Sequence, residues 1–232
     1  MSIKSNIDYI NKIKDEATVR SGRNAGDVLL VAVTKLHTAE EINEAIDAGI
    51  TDIGENKVQE IMDKFDHVKP VRWHLIGHLQ TNKVKNIIDK VSMIHSVDSL
   101  HLAMEIDKRA MQHGITMDIL IQVNSAMEES KFGITTEETG DLIENILDKC
   151  PNIKIRGLMC IAPFEDNPDD ARKYFAEVKK LYDEYSKLDT DRIDFKYLSM
   201  GMSNDFEVAI EEGSNLVRVG TAIFGARDYS SK

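Results

Sequence analysis

The alternation of short apolar runs with longer helical patterns is the feature that most constrains the fold of this chain. The first run, VLLVAVTK, is rich in valine and is flanked by polar residues, as is typical of a strand buried on both faces of a parallel sheet. The intervening segments repeat their apolar residues at helical spacing. The apolar runs lie at residues 28–35, 51–56, 72–77, 92–97, 117–124, 153–162, 195–200 and 215–220.

Eight strand–helix units in sequence predict a parallel sheet with right-handed crossovers. The chain has 232 residues, of which 42% are hydrophobic, and a closed (β/α)8 TIM barrel often has about this length. The amphipathic segment MSIKSNIDYINKIKDEA predicts an extra helix before the first strand. No linker rich in proline or glycine interrupts the pattern, so we expect residues 1–232 to form a single domain. An open doubly wound sheet is the alternative architecture.

The composition excludes several classes of function. A formal net charge of -11 and a pI near 5.1 argue against binding to nucleic acid or to anionic membranes. Two cysteines, Cys150 and Cys160, are too few for a disulfide framework and fit a reducing compartment. The amino terminus has no apolar signal core, and no window is long and apolar enough to span a membrane. We therefore expect a cytoplasmic protein.

Lys35 ends the first apolar run, VLLVAVTK. In α/β proteins the carboxyl ends of parallel strands carry the chemistry. Partial desolvation there favours the neutral, nucleophilic amine, which condenses with an aldehyde to form a Schiff base. The alternative is a lysine whose stem packs on the strand end while its ammonium group lies in water.

Two later segments predict a site for an anion. Gly201 and Ser203 follow the seventh strand, where Ser203 is a suitable N-cap for the next helix. Gly220 and Thr221 follow the eighth strand and offer backbone amides and a hydroxyl. Barrels of this type often bind phosphate at these two loops, although each loop alone could serve only to cap a helix or turn a corner. A nucleophilic lysine opposite a phosphate site suggests pyridoxal 5'-phosphate (PLP) as the cofactor.

Several segments of the chain resemble the pyridoxal phosphate homeostasis proteins, the single-domain relatives of the barrel domain of bacterial alanine racemase. The resemblance spans nearly the whole chain, in the order of the family, and implies the alanine racemase N-terminal version of the barrel. The loop VNSAMEESKFG departs from the glycine-containing form that we expect of the family, and we assign no ligand from it. The matching segments are VAVTK, DIGENKVQE, WHLIGHLQTNK, IHSVDS, VNSAMEESKFG, RGLMCIAP, LSMGMSNDFEVAI and VRVGTAIFGAR.

The resemblance implies roles for seven cofactor-binding residues. Lys35 would hold PLP as a reversible Schiff base, the internal aldimine. Arg218 would face the pyridine nitrogen, and Asn56 would lie near the cofactor ring. The predicted phosphate site comprises Ser203, Gly220 and Thr221, with Asn204 beside them.

The residues favour a binding protein over an enzyme. An arginine stays protonated, so Arg218 leaves no room for a proton on the pyridine nitrogen and makes the cofactor a weak electron sink. The racemase relatives also use a tyrosine from a second domain of a partner subunit, whereas this chain ends at Lys232, just after the predicted barrel. Nothing in the sequence places Tyr197 or Tyr229 over the cofactor. We therefore expect no catalytic residue and a monomer.

The function predicted by the resemblance is PLP and vitamin B6 homeostasis, in which the chain buffers or delivers PLP and possible ligands include other B6 vitamers. A weak PLP-dependent amino-acid racemase is the alternative. A regulator that binds a phosphate ligand without a Schiff base is a third class, but it leaves Lys35 unexplained. His74 and His78 are four residues apart, yet they fall on a strand and its loop, so we predict no metal site and interpret His74 as a core residue.

Overall fold

The computed structural model describes residues 2–128, 131–188 and 190–225. Eight parallel strands form a closed barrel in which each strand pairs with the next along the chain and β8 pairs with β1. The strands are β1 (Leu29–Val33), β2 (Asp52–Glu55), β3 (Arg72–Leu75), β4 (Met93–Val97), β5 (Met117–Val123), β6 (Ile153–Cys160), β7 (Ile193–Ser199) and β8 (Leu216–Val219).

Helices connect these strands and cover the outside of the barrel. They are α1 (Ile3–Arg20), α2 (Ala39–Asp47), α3 (Val58–Lys64), α4 (Leu100–His113), α5 (Thr139–Lys149), α6 (Arg172–Tyr185), α7 (Phe206–Glu211) and α8 (Thr221–Phe224). Three 3₁₀ helices accompany them, at Phe65–His67, Thr81–Asn86 and Pro168–Ala171. This is the predicted (β/α)8 TIM barrel, and the extra helix before β1 is confirmed. No helix in the described part of the chain is long and apolar enough to cross a membrane.

The main hydrophobic core lies between the sheet and the helices, and it includes residues of every strand. The strand faces that point into the barrel are less uniformly apolar than this core. They combine a small apolar cluster with buried polar residues. The apolar cluster consists of Met93, Leu120 and Met159. The buried polar residues of these faces include a histidine on β3, a histidine on β4 and an arginine on β8.

The closure between β1 and β8 brings the first and last units of the barrel together. Four residue pairs join these strands, from Leu29 with Leu216 to Ala32 with Val219. Parallel strands end at the same edge of the sheet, so the segments after β1 and β8 emerge side by side. This closure is what places Lys35 near the turns that follow β7 and β8.

Two of the predicted local structures differ from the observed ones. Helix α7 begins at Phe206 with Asp205 at the N-cap position, so Ser203 is not the N-cap but lies two residues earlier in a turn. The Asp205 Oδ1 atom accepts a 2.6 Å hydrogen bond from the Met202 N–H, which stabilises the turn and delays the helix. The segment between the third and fourth apolar runs, predicted as helical like the other intervening segments, contains a 3₁₀ helix at Thr81–Asn86.

Candidate functional site

A cavity of about 570 Å³ opens at the carboxyl end of the barrel, where loops follow the strands. Six of the seven predicted binding residues line it: Lys35, Ser203, Asn204, Arg218, Gly220 and Thr221. Apolar side chains, including Val33, Ile161 and Phe164, form much of the remaining wall. Such a mixture of apolar wall and few polar groups is typical of a small-molecule site.

Lys35 lies two residues beyond the end of β1 and is partly buried. Both of its neighbours are held firmly. The Thr34 hydroxyl donates a 2.7 Å hydrogen bond to Glu55, and the Leu36 backbone N–H donates a 2.6 Å bond to Glu60. Leu36 has a φ of 66°, a left-handed conformation that costs energy in a residue other than glycine. The chain thus turns sharply just after the lysine.

Lys64, at the end of α3, contacts both glutamates that accept hydrogen bonds from the neighbours of Lys35. Its ammonium group donates to the Thr34 carbonyl oxygen at 3.0 Å, to Glu55 at 2.8 Å and to Glu60 at 2.9 Å. Burial raises the pKa of the Glu55 carboxyl, while the nearby Lys64 charge opposes this rise. For Glu60, the bonds from Leu36 and Lys64 outweigh burial and lower the pKa. The three charged side chains hold the backbone on both sides of Lys35.

Arg218 lies on β8 and is only 3% exposed. Its Nη1 atom donates to the carbonyl oxygen and to the hydroxyl of Ser199, and its Nη2 atom donates to the Cys160 carbonyl oxygen at 2.8 Å. Burial lowers the pKa of the guanidinium. The usual pKa of arginine is so high that the group nevertheless stays charged at neutral pH. These bonds use at most three of its five N–H groups, so donors remain on the cavity side of this buried cation.

Two turns face Lys35 across the cavity. In the turn before α7, the backbone amides of Ser203 and Asn204 donate no hydrogen bond within the described part of the chain. The amide of Thr221 lies in the first turn of α8, where helix geometry leaves N–H groups without an intrahelical acceptor. Together with the hydroxyls of Ser203 and Thr221, these amides can bind a phosphate group.

Two glycines lie beside these turns, at positions where a side chain would be strained or crowded. Gly201 has a φ of 92°, and a Cβ atom there would come within 2.7 Å of the Phe206 Cα atom. At Gly220 a Cβ atom would lie 3.1 Å from the Val33 side chain and backbone of β1. The two glycines therefore let the turns after β7 and β8 pack closely against their neighbours.

Asn56, the seventh predicted residue, lies just beyond β2 and is partly buried, but it does not line this cavity. Its backbone instead packs against Gly77, where a Cβ atom would come within 2.3 Å of the Asn56 carbonyl oxygen. Its predicted position near a cofactor ring stays a prediction. His78 stacks on Phe132 with ring centres 3.8 Å apart and lines a separate cavity.

The cavity residues missed by the sequence analysis include two charged ones, Lys131 and Asp205. Lys131 comes from the loop after β5, from which no ligand was assigned, and Asp205 lies directly after the predicted phosphate residues. Both residues follow barrel strands in the sequence, and this position was the available signal that they could line the site. Burial raises the pKa of the Asp205 carboxyl, although the bond from Met202 and the Arg218 charge oppose the rise.

The interpretation of His74 as a core residue is confirmed, because it is 3% exposed and both ring nitrogens contact polar partners. Of the two tyrosines considered, Tyr197 lines a cavity near the amino ends of the strands, and Tyr229 lies outside the described residues.

Comparisons with known proteins agree with this fold. The family model for the alanine racemase N-terminal domain matches residues 12–228. A protein of unknown function from Bifidobacterium adolescentis superposes with a TM-score of 0.87 at 36% identity, covering 95% of this chain and 94% of its own. The barrel is therefore of the alanine racemase N-terminal class.

Two further relatives identify the family to which the chain belongs within this class. The pyridoxal phosphate homeostasis protein of Aquifex aeolicus is 44% identical over 216 residues, which cover 92% of this chain and 93% of the relative. PipY of Synechococcus elongatus, in a structure with PLP bound, superposes with a TM-score of 0.76 at 32% identity and covers 92% of this chain and 100% of its own. The chain belongs to the pyridoxal phosphate homeostasis protein family.

Proposed function

We propose that this chain binds PLP reversibly in the cavity at the carboxyl end of the barrel and acts in PLP homeostasis. The observation that carries the proposal is the convergence of a strand-end lysine, a buried guanidinium and two turns with available amides on one cavity. The bound PLP in the related PipY structure and the name of the Aquifex aeolicus relative support it.

The residues present fit this cofactor. Ser203, Asn204, Gly220 and Thr221 would hold the phosphate through amides and hydroxyls. Arg218 would donate to the pyridine nitrogen, which can accept a hydrogen bond in its neutral form. A cavity of about 570 Å³ also falls within the usual range for small-molecule sites.

PLP supplies an aldehyde that a neutral lysine amine attacks. We assign this role to Lys35, whose position is fixed by the supports of Thr34 and Leu36. Such a linkage to Lys35 would form with loss of water and would be reversed by water, which would suit a protein that takes up and releases its ligand.

We propose binding without turnover. The charge of Arg218 disfavours protonation of the pyridine nitrogen, which would otherwise withdraw electrons from a substrate carbon. Weak racemization of an amino acid is the competing activity. We further propose a cytoplasmic, monomeric protein.

The first test is a titration of the purified protein with PLP, followed by visible absorbance and by mass spectrometry after borohydride reduction. We expect an absorbance band in the wild type, reductive labelling of Lys35, and loss of both in Lys35→Ala. Lys85→Ala, which changes an exposed lysine on the 3₁₀ helix after β3, is the matched control and should retain both signals. A label on another lysine, or an unchanged spectrum in Lys35→Ala, would contradict the role of Lys35.

The second test addresses turnover. The PLP-loaded protein is incubated with single enantiomers of common amino acids, and their chirality is followed over time. We expect no inversion above that caused by free PLP. Faster inversion that disappears in Lys35→Ala would favour the racemase alternative.

A further inference from the structure

A continuous series of hydrogen bonds crosses the inside of the barrel and ends at Arg218. Asp52 Oδ1 lies 2.9 Å from His74 Nε2, and His74 Nδ1 lies 2.9 Å from His95 Nε2. His95 Nδ1 lies 3.2 Å from the Ser199 hydroxyl, which also accepts from Arg218 Nη1. We call these five residues the interior relay. All five are at most 3% exposed.

The far end of the interior relay is a firmly ionised carboxylate. Asp52 is the first residue of β2, and it accepts hydrogen bonds from Arg72 Nε at 2.7 Å, Arg72 Nη2 at 2.6 Å and Thr51 Oγ1 at 2.7 Å. Burial alone would raise the pKa of Asp52, but the hydrogen bonds from His74, Arg72 and Thr51 hold it well below its usual range. An ionised carboxylate only accepts hydrogen bonds, so His74 must donate from Nε2.

His95, in the middle of the relay, is neutral. Burial lowers its pKa well below the usual histidine value, and the nearby His74 and Arg218 lower it further. A neutral imidazole has one donor and one acceptor nitrogen, so only two arrangements are open to it. In the first, His95 accepts from Ser199 at Nδ1 and donates to His74 from Nε2. In the second, both roles are reversed.

The first arrangement satisfies every member of the relay. Ser199 accepts from Arg218 and donates to His95, and each histidine has one donor and one acceptor. The second arrangement makes His74 doubly protonated and brings donors from both Arg218 and His95 to the Ser199 hydroxyl. The hydroxyl hydrogen would then have no acceptor within the relay, and an unpaired polar group is costly in a buried position.

We propose that His95 is a positioning residue for the cofactor site, acting through Ser199 so that every polar hydrogen of the interior relay points from Arg218 towards Asp52. This inference rests on the proposed function, because it assigns Arg218 to the pyridine nitrogen of PLP. Ser199 then presents only a lone pair to the guanidinium. The remaining N–H groups of Arg218 are directed to the cavity.

Arg218 is a buried cation without a carboxylate in direct contact. It makes no ion pair with a carboxylate of the described residues, and its three bonds all go to oxygens of Ser199 and Cys160. Asp205, on the wall of the same cavity, acts on the guanidinium at longer range, and Asp52 lies two imidazoles and one hydroxyl away. A carboxylate in direct contact with the guanidinium would compete with the pyridine nitrogen for the same donors.

The first experiment needs no cofactor. Histidine-selective ¹⁵N labelling of the PLP-free protein, with long-range proton–nitrogen NMR spectra, reports which ring nitrogen carries the proton. We expect Nδ1 of His95 to be unprotonated and Nε2 to be protonated, with the same pattern in His74. The exposed His113 at the end of α4 provides the reference signal of a solvated ring. A proton on Nδ1 of His95 would overturn the proposal.

The second experiment uses two substitutions that retain different halves of the imidazole. The amide of His95→Asn lies at the same number of bonds from Cβ as Nδ1 and can still accept from Ser199. The amide of His95→Gln corresponds to Nε2 and faces His74 instead. We expect PLP to bind about tenfold more weakly to His95→Gln and within about threefold of wild type to His95→Asn, because only the former leaves Ser199 without its acceptor.

The spectra of the bound forms separate positioning from mere stability. We expect His95→Gln and Ser199→Ala to shift the absorbance band of bound PLP, and His95→Asn to restore the wild-type band. Equal affinities and spectra for the Asn and Gln variants would overturn the proposal. If wild-type protein binds no PLP, the proposed function fails, whereas the NMR result still decides the orientation of the relay. The same result decides it if a variant does not fold.

Discussion

At the scale of single residues, Asp205 is one of two cavity carboxylates, with Glu165, whose charge would oppose the proposed ligand. Its carboxyl shares a wall with the amides of Ser203 and Asn204, and its Oδ1 atom accepts from the Met202 N–H. Burial raises the pKa of its carboxyl, because the ionised form loses hydration there. A bound phosphate would raise that cost further, because two negative charges would then face the same turn.

We predict that Asp205→Asn binds inorganic phosphate and PLP about threefold or more tightly than wild type at pH 8, since the amide keeps the bond to Met202 and removes the charge. The raised pKa fixes the sign of the pH dependence: wild-type affinity should increase as the pH falls through the Asp205 pKa. That increase should be absent in the variant. Isothermal titration calorimetry over a pH series measures both effects.

Asp148→Asn is the control, because it removes the same charge from an exposed position on α5. Its affinity should remain that of wild type. Unchanged binding by Asp205→Asn at every pH would mean that the anion lies out of reach of this carboxyl.

The sequence identified the residues whose type and position both point to chemistry. A lysine at a strand end and a glycine–serine turn after β7 are unusual enough to single out, and both line the cavity. Asp205 and Lys131 were missed, because acidic and basic residues are common in loops and only the folded chain shows which of them face inward. Asn56 also lies at the end of a strand, but its backbone packs on Gly77 and it does not line the cavity.

At the scale of elements, helix α3 supports the segment that carries Lys35. Lys64 joins the carbonyl of Thr34 to the carboxylates of Glu55 and Glu60, and its side chain is only 13% exposed. Glu55 is fully buried. Removing the shared cation would leave buried carboxylates without compensation, which is far more costly than breaking an exposed ion pair.

We predict that Lys64→Met lowers the free energy of unfolding by about 3 kcal/mol, as expected when one partner of a buried ion pair is removed. It should also weaken PLP binding at Lys35, because Thr34 would lose the hydrogen bond from Lys64, and Glu60, which accepts from Leu36, would lose its cationic partner. Urea denaturation and the PLP titration measure the two effects. Lys108→Met, at an exposed position of α4, should change neither. If Lys64→Met lost stability but bound PLP as wild type does, α3 would not position the lysine.

The strand–helix order was predictable because hydrophobic periodicity records which faces are buried. The observed strands lie within the predicted apolar runs, apart from the start of β7, which precedes its run by two residues. Helix starts were less predictable. Ser203 and Asp205 are both good capping residues, and only the hydrogen bond from Met202 to Asp205 decides in favour of a start at Phe206.

At the scale of the whole molecule, α1 closes the barrel by holding the last units against the first. After α1, Arg23 donates to the carbonyl oxygens of Ser214 at 2.9 Å and Ile210 at 2.6 Å, near the end of α7. Arg20 forms exposed ion pairs with Glu207 and Glu211 on the same helix. Helix α1 and the segment after it therefore support α7, the helix that follows one of the turns lining the cavity.

If residues 1–232 fold as a single domain, a substitution at the contact between Arg23 and α7 should lower the stability of the whole barrel. We predict that Arg23→Met lowers the free energy of unfolding by about 2 kcal/mol, because it removes charge-assisted hydrogen bonds from two carbonyls. Arg20→Met, at the same interface but exposed, should cost less than about 1 kcal/mol.

The chain has one tryptophan, Trp73 on β3, whose fluorescence reports on a distant part of the barrel. Its urea transition should shift together with that of far-ultraviolet circular dichroism, whereas separate transitions would show that α1 and the closing strands unfold as an independent unit.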